Sequence, residues 1–134
     1  GLKMVSLSRN TRNGNVKEQL IAALRSGKYQ QGQARLCKDG KYCCIGVLCE
    51  LMEIPKEEGI AHTKYAGNAI CMPDDYLKQS GLHSHFGSSG NGGLDLARLN
   101  DKGYTFEQIA DIIESGDYFR VQGTGENPPE ATVL

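Results

Sequence analysis

Apolar residues recur at intervals of three and four in the first part of the chain, which is the spacing of a helix that packs along one side. Asn15 and Glu18 have the N-cap and N3 spacing of a helix start, and Gly27 is a favourable left-handed end. The apolar stripe between them consists of Val16, Leu20, Ile21, Ala23 and Leu24. The pattern therefore predicts an amphipathic helix over this segment.

A β-hairpin followed directly by a helix is predicted over residues 35–52. The pair Asp39-Gly40 separates two short extended segments, and both residues accept the positive φ of a type I′ turn. The apolar face of the helix consists of Val47, Leu48, Leu51 and Met52. Pro55 ends this helix. Gly46 lies in its first turn, where it lowers helix stability, and this predicts the close approach of another backbone or of a ligand.

The pattern after residue 55 predicts a second hairpin and three more helices. The weaker hairpin consists of residues 60–65 and 68–71 on either side of Ala66-Gly67. The helices are predicted over residues 73–80, over residues 94–100, and from the Thr105–Gln108 capping box to Gly116. Glycine and serine dominate residues 83–93, which predicts a flexible loop.

These elements predict an α+β fold, a small single domain in which helices pack on one or two antiparallel β-hairpins. The chain has 134 residues, of which 39% are hydrophobic and 23% charged, as is typical of one soluble domain. We expect residues 1–14 to be a flexible lead-in, residues 15–121 the domain, and residues 122–134 a flexible tail. No apolar run approaches the roughly 20 residues of a membrane span, and no secretory signal is evident, so a cytoplasmic protein without a membrane partner is expected.

Charge is unevenly distributed although the net charge is only −1. Residues 1–41 contain nine Lys and Arg against two acids, whereas the remainder contains six against fourteen. The basic first third would attract phosphates or an acidic partner. Alternatively, the two parts neutralise each other inside one fold. Nucleic-acid binding is not expected, because the overall charge is near zero and the aromatic residues are few and scattered.

Polar and basic residues follow the first predicted helix, at the turn into the first strand. The candidate ligand-binding residues are Arg25, Lys28, Tyr29, Gln31 and Arg35, together with Asn100. Arg offers a fork for phosphate, Lys a point charge, Tyr a stacking face and Gln paired amide groups, a mixture that suits a nucleotide-like anion. The alternatives are a solvated helix end for the basic residues and a turn-forming role for Asn100.

Two adjacent cysteines, Cys43 and Cys44, fall where the second strand is predicted to become a helix. A helix N-terminus can lower a thiol pKa and create a nucleophile, and the three histidines His62, His83 and His85 are the available bases. The five cysteines fit no zinc-binding spacing, so we expect buried structural thiols, no metal and no cofactor. The histidines of the 83–93 loop are expected to belong to an exposed polar segment, since too few ligands accompany them.

Several segments resemble a family of small bacteriophage and prophage proteins in order along residues 16–115. They are residues 23–32 (ALRSGKYQQG), 42–51 (YCCIGVLCEL), the helix over 73–80 with Gly81-Leu82, residues 99–101 (LND) and residues 106–113 (FEQIADII). The chain differs from that family's usual pattern in lacking Trp and in its Gly/Ser/His loop. The resemblance implies a host-cytoplasm location and a role in manipulating the host.

The leading hypothesis is a non-enzymatic protein that sequesters a nucleotide-like anionic small molecule to counter host defence. Oligomerisation would supply enclosed pockets between copies of the chain. The alternatives are a hydrolase or transferase that uses Cys43 or Cys44, and an inhibitor whose basic N-terminal third docks on an acidic host protein.

Overall fold

The first helix confirms the prediction made from the apolar stripe. In the computed structural model, which describes residues 16–120, α1 (Val16–Arg25) buries Val16, Leu20, Ile21 and Leu24. Gly27 follows at φ 76°, the left-handed conformation expected of a helix end. The predicted N-cap Asn15, the lead-in 1–14 and the tail 122–134 lie outside the described residues.

A five-stranded sheet lies beside the helices, and its strands in spatial order are β1 (Gln30–Gln31), β3 (Lys41–Tyr42), β2 (Cys37–Lys38), β5 (Thr63–Tyr65) and β4 (Lys56–Glu58). Strands β2 (Cys37–Lys38) and β3 (Lys41–Tyr42) form the predicted hairpin, and Asp39 and Gly40 have φ values of 56° and 76°. The first strand, β1 (Gln30–Gln31), pairs parallel to β3. The sheet is therefore mixed, because a parallel edge strand joins the antiparallel hairpins.

Helix α2 (Cys44–Leu51) follows β3 at once and lies in the centre of the core. Its residues from Cys44 to Cys49 are all buried. A Cβ atom at Gly46 would lie 1.9 Å from the carbonyl oxygen of Leu36, inside any permitted contact distance. The predicted close approach at this glycine is confirmed, and the approaching group is a backbone.

The second hairpin is confirmed only in part, and the difference lies in its second strand. Tyr65 and Asn68 pair across the Ala66-Gly67 turn in an isolated antiparallel bridge, with N–H to carbonyl distances of 2.7 and 2.9 Å. Residues 68–71 do not continue as a strand, and β5 (Thr63–Tyr65) pairs along its length with β4 (Lys56–Glu58). The turn at Ala66-Gly67 is present, but the Asn68 side chain then accepts hydrogen bonds from the amides of Ile70 and Cys71, both at 3.0 Å, and these local bonds replace a strand ladder. Strand β4 was not predicted, because its sequence Lys-Glu-Glu is exposed along its whole length and lacks the alternation of apolar and polar residues that indicates a strand.

Three helices complete the described domain and confirm the α+β fold class. They are α3 (Asp74–Ser80), α4 (Leu96–Asp101) and α5 (Phe106–Ser115). The capping box of Thr105 and Gln108 is formed, and Gly81 ends α3 at φ 81°. Helix α5 packs chiefly against α1, while α4 packs against α2 and α5. No helix within residues 16–120 is both long enough and apolar enough to cross a membrane.

Candidate functional site

Arg25 joins two helices. Its Nη2 atom donates to Asp111 at 2.7 Å and to Glu114 at 2.8 Å, both on α5. Hydrogen bonding to Glu114, and then to Asp111, raises the pKa of the guanidinium. These two ion pairs of Arg25 agree with the interpretation that the basic and acidic parts of the chain neutralise each other. In this conformation, the guanidinium meets two carboxylates where the phosphate of a ligand was expected.

Gln31 and Asn100, predicted as site residues, are brought together from positions 69 residues apart. The side chain of Asn100 is fully buried. Its Oδ1 accepts hydrogen bonds from Gln31 Nε2 at 3.0 Å and from the amide of Cys44 at 3.2 Å. Its Nδ2 donates to the carbonyl of Gly32 at 2.7 Å. Gln31 Nε2 also donates to a backbone carbonyl at 2.8 Å, and its Oε1 accepts the amide of Phe106 at 3.1 Å. This network fastens β1 and α2 to the ends of α4 and α5.

The other three predicted residues lie apart from this network. Lys28 is exposed, and Tyr29 packs edge-on against Tyr42 with ring centroids 5.3 Å apart. Arg35 Nη1 donates to the carbonyl of Ala34 at 3.1 Å. The six predicted residues therefore do not form one pocket, although Arg35 is attached to a residue of the cleft described below.

The adjacent cysteines are buried at the N-terminus of α2. Cys43 is the N-cap, and its Sγ accepts from the amide of Gly46 at 3.4 Å. Burial nevertheless raises the pKa of Cys43 to about 11, since the cost of desolvating a thiolate exceeds what these backbone hydrogen bonds return. Burial likewise raises the pKa of Cys44 well above its usual value. Both thiols are thus protonated at neutral pH and poorly suited to act as nucleophiles.

A cleft of about 280 Å³ opens beside α4, and sequence reasoning did not identify it. Its lining consists of Ala34, Cys43, Ile70, Phe86, Asp95, Ala97, Arg98 and Asp101. These residues come from several separate segments of the chain. Two of them are large apolar side chains with unusual exposure, Ile70 at 50% and Phe86 at 42%. Phe86, an aromatic residue inside a Gly/Ser loop, is the signal in the sequence that could have pointed to this site.

The polar wall of the cleft is held by hydrogen bonds to the backbone. Asp95 Oδ1 caps α4 by accepting from the amide of Arg98 at 2.7 Å. Asp101 Oδ1 accepts from the amide of Ala34 at 2.9 Å. Ala34 has φ 73°, and a non-glycine residue in the left-handed region is strained, a feature that clusters at ligand sites.

Phe86 is positioned by the loop that was predicted to be flexible. His83 Nε2 is 2.9 Å from Asp117 Oδ1, and His85 Nε2 forms a hydrogen bond with Asp74. The carbonyl of Phe86 itself accepts from the amide of Ala97 at 3.1 Å. The segment is a loop, as predicted, and these contacts fasten it to both α3 and the start of α4.

The cleft combines an apolar surface with one cation and two carboxylates. The guanidinium of Arg98 makes no ion pair with any residue in 16–120, so it is available to an anion. Across that same range, no three metal-ligating side chains come close enough to hold a metal ion. The arrangement suits a small ligand with an apolar face, one anionic group and N–H groups directed at the aspartates.

A family model described as a domain of unknown function (DUF8296) matches residues 12–85, more than half of the chain. The chain therefore belongs to this family. The match covers α1, the whole sheet, α2 and α3, and it stops beside Phe86, so Arg98 and the rest of the α4 wall lie beyond it. No curated protein and no solved structure matches the chain.

Proposed function

We propose that this protein is a non-enzymatic binding protein that sequesters a small nucleotide-like anion in the cleft beside α4. The observation that supports this proposal is the Arg98 guanidinium, without an ion-pair partner in residues 16–120, beside the exposed faces of Ile70 and Phe86. A guanidinium forms charge-assisted hydrogen bonds to phosphate oxygens, and an aromatic face stacks on a base. Phosphate and base are two of the three parts of a nucleotide.

Size and charge restrict the ligand further. The cleft, at about 280 Å³, lies just below the usual range of ligand pockets, which is about 300 to 1,000 Å³. Asp95 and Asp101 make the lining net negative, which disfavours a di- or triphosphate. Their oxygens instead suit the exocyclic amino group of a base. We therefore propose a mononucleotide, linear or cyclic, with a single phosphate.

Binding without turnover is favoured over the thiol-dependent alternative because Cys43, the cysteine of the cleft, has a raised pKa of about 11. Iodoacetamide at neutral pH should leave Cys43 and Cys44 unlabelled, as peptide mass spectrometry will report. Rapid alkylation of Cys43 in the folded protein would favour the enzyme.

The resemblance to small phage proteins supports the biological setting of the proposal. We propose that the protein acts in the cytoplasm of an infected host, where holding a nucleotide signal would blunt a defence response. A second copy of the chain placed over the open side of the cleft would enclose the ligand, so a homo-oligomer belongs to the proposal.

Native mass spectrometry of the protein purified from bacteria, followed by a thermal-shift screen of mononucleotides, tests this function. A ligand that binds the folded state must raise the melting temperature. Arg98→Gln should weaken binding about tenfold or more, since a hydrogen bond to a charged group contributes about 1.5–3 kcal/mol. Lys102→Gln, which removes an exposed cation one residue past the end of α4, is the matched control and should bind normally.

Loss of affinity in both variants, or in neither, would count against the cleft as the binding site. Recovery of the ligand unchanged after incubation would support sequestration. Recovery of an altered ligand would show turnover and overturn the non-enzymatic part of the proposal.

A further inference from the structure

The solvent-facing side of the sheet carries lysines on three neighbouring strands. Lys38 of β2 and Lys41 of β3 are directly paired across the hairpin. Cys37 and Thr63 are also register partners and are both buried, so the next residue on each strand, Lys38 and Lys64, points to the opposite, exposed side. We call Lys38, Lys41 and Lys64 the lysine face.

The lysine face is only partly balanced by negative charge, because Glu57 is the register partner of Lys64, whereas Lys38 and Lys41 are partners of each other. All three side chains are exposed, and none forms an ion pair with a residue in 16–120. Like charges placed directly opposite each other on adjacent strands destabilise a hairpin. The Lys38–Lys41 pair thus lowers stability in the isolated chain, and an anionic partner would remove that repulsion.

We propose that the lysine face is a docking surface for an acidic protein segment. Three strands about 4.8 Å apart give a face about 10 Å wide, which matches the diameter of a single helix of about 10–12 Å. Charge complementarity selects acidic side chains on that helix. This surface is separate from the cleft, shares no residue with it, and does not depend on the proposed nucleotide.

A protein partner fits this face better than a nucleic acid. The exposed side chains of the sheet include Gln30 and Glu57 but no arginine or aromatic residue, which nucleic-acid surfaces use for forked hydrogen bonds and stacking. Glu57, the register partner of Lys64, borders the face and would repel a long polyanion, whereas Glu58 is the partner of Thr63 and points to the other side of the sheet. A short acidic segment meets the lysines without reaching that edge.

The probe for the test is a short fluorescein-labelled oligoglutamate peptide, compared with single-stranded DNA and with phosphatidylserine vesicles, at low and at physiological salt. The variant K38Q/K41Q removes the cross-strand pair. The matched control K78Q/K102Q removes the same charge from exposed positions on α3 and after α4. Thermal melts of each variant accompany the binding measurements.

We expect K38Q/K41Q to bind the oligoglutamate peptide about tenfold more weakly at low salt, the control to bind normally, and wild-type binding to fall as salt rises. The melting temperature of K38Q/K41Q should rise, because the repulsion is gone, so unfolding cannot explain its loss of binding. Equal weakening in both variants, no wild-type binding, or a preference for DNA or vesicles would overturn the proposal.

Discussion

Replacing Asn100 with Ala tests the buried network that connects the sheet to the helices. The change removes three side-chain hydrogen bonds, to Gln31 Nε2, to the Cys44 amide and to the Gly32 carbonyl. At about 1 kcal/mol of net stability each, they amount to about 3 kcal/mol. Cys44 is fully buried, so its amide loses its acceptor where no solvent replaces it, which adds about 1–2 kcal/mol. We expect a total loss of about 4–5 kcal/mol.

Urea unfolding followed by far-ultraviolet circular dichroism measures this loss, since the chain contains no Trp. The midpoint should fall at a nearly constant slope, which indicates a change of stability rather than of compactness. Lys102→Ala serves as the control and should stay within about 0.5 kcal/mol of wild type, as exposed substitutions do. A loss below about 1 kcal/mol for Asn100→Ala would refute the reasoning, because it would mean that the bonds are absent or readily replaced.

Three further predictions follow from the core, the buried thiol and the cleft loop. Gly46→Ala should cost more than about 4 kcal/mol, since its methyl group would lie 1.9 Å from the Leu36 carbonyl oxygen; a melting temperature close to that of wild type would contradict this. Burial raises the pKa of Cys43 from 9.0 to about 11, so the protonated thiol contributes roughly 3 kcal/mol of stability that is complete below pH 9 and is lost as the pH rises through 11. Thermal melts between pH 7 and 12 will measure this loss, and Cys43→Ala should make it smaller. His85→Ala should release Phe86 and weaken nucleotide binding in a thermal-shift assay, with little change in the midpoint of urea unfolding.

Local chemistry determined those elements that the sequence predicted well. The conformations of the Asp39-Gly40 turn, the Thr105 capping box and the glycine after α1 each depend only on residues a few positions away in the sequence. The close approach at Gly46 was also predictable, because glycine lowers the stability of a helix and is expected there only where a Cβ atom would not fit. The class of fold followed from these elements and from the apolar stripes between them.

The tertiary structure alone decided which residues meet. Arg25 is paired with Asp111, 86 positions away in the sequence, and Gln31 with Asn100, 69 positions away. Residues that were predicted to bind a ligand therefore make contacts that stabilise the fold. The cleft is assembled from separate segments, each with an ordinary pattern by itself, so the position of Arg98 beside Phe86 could not be derived from spacing. Spacing reports periodicity along one element, whereas a site depends on distances between elements, and the packing of the core sets those distances.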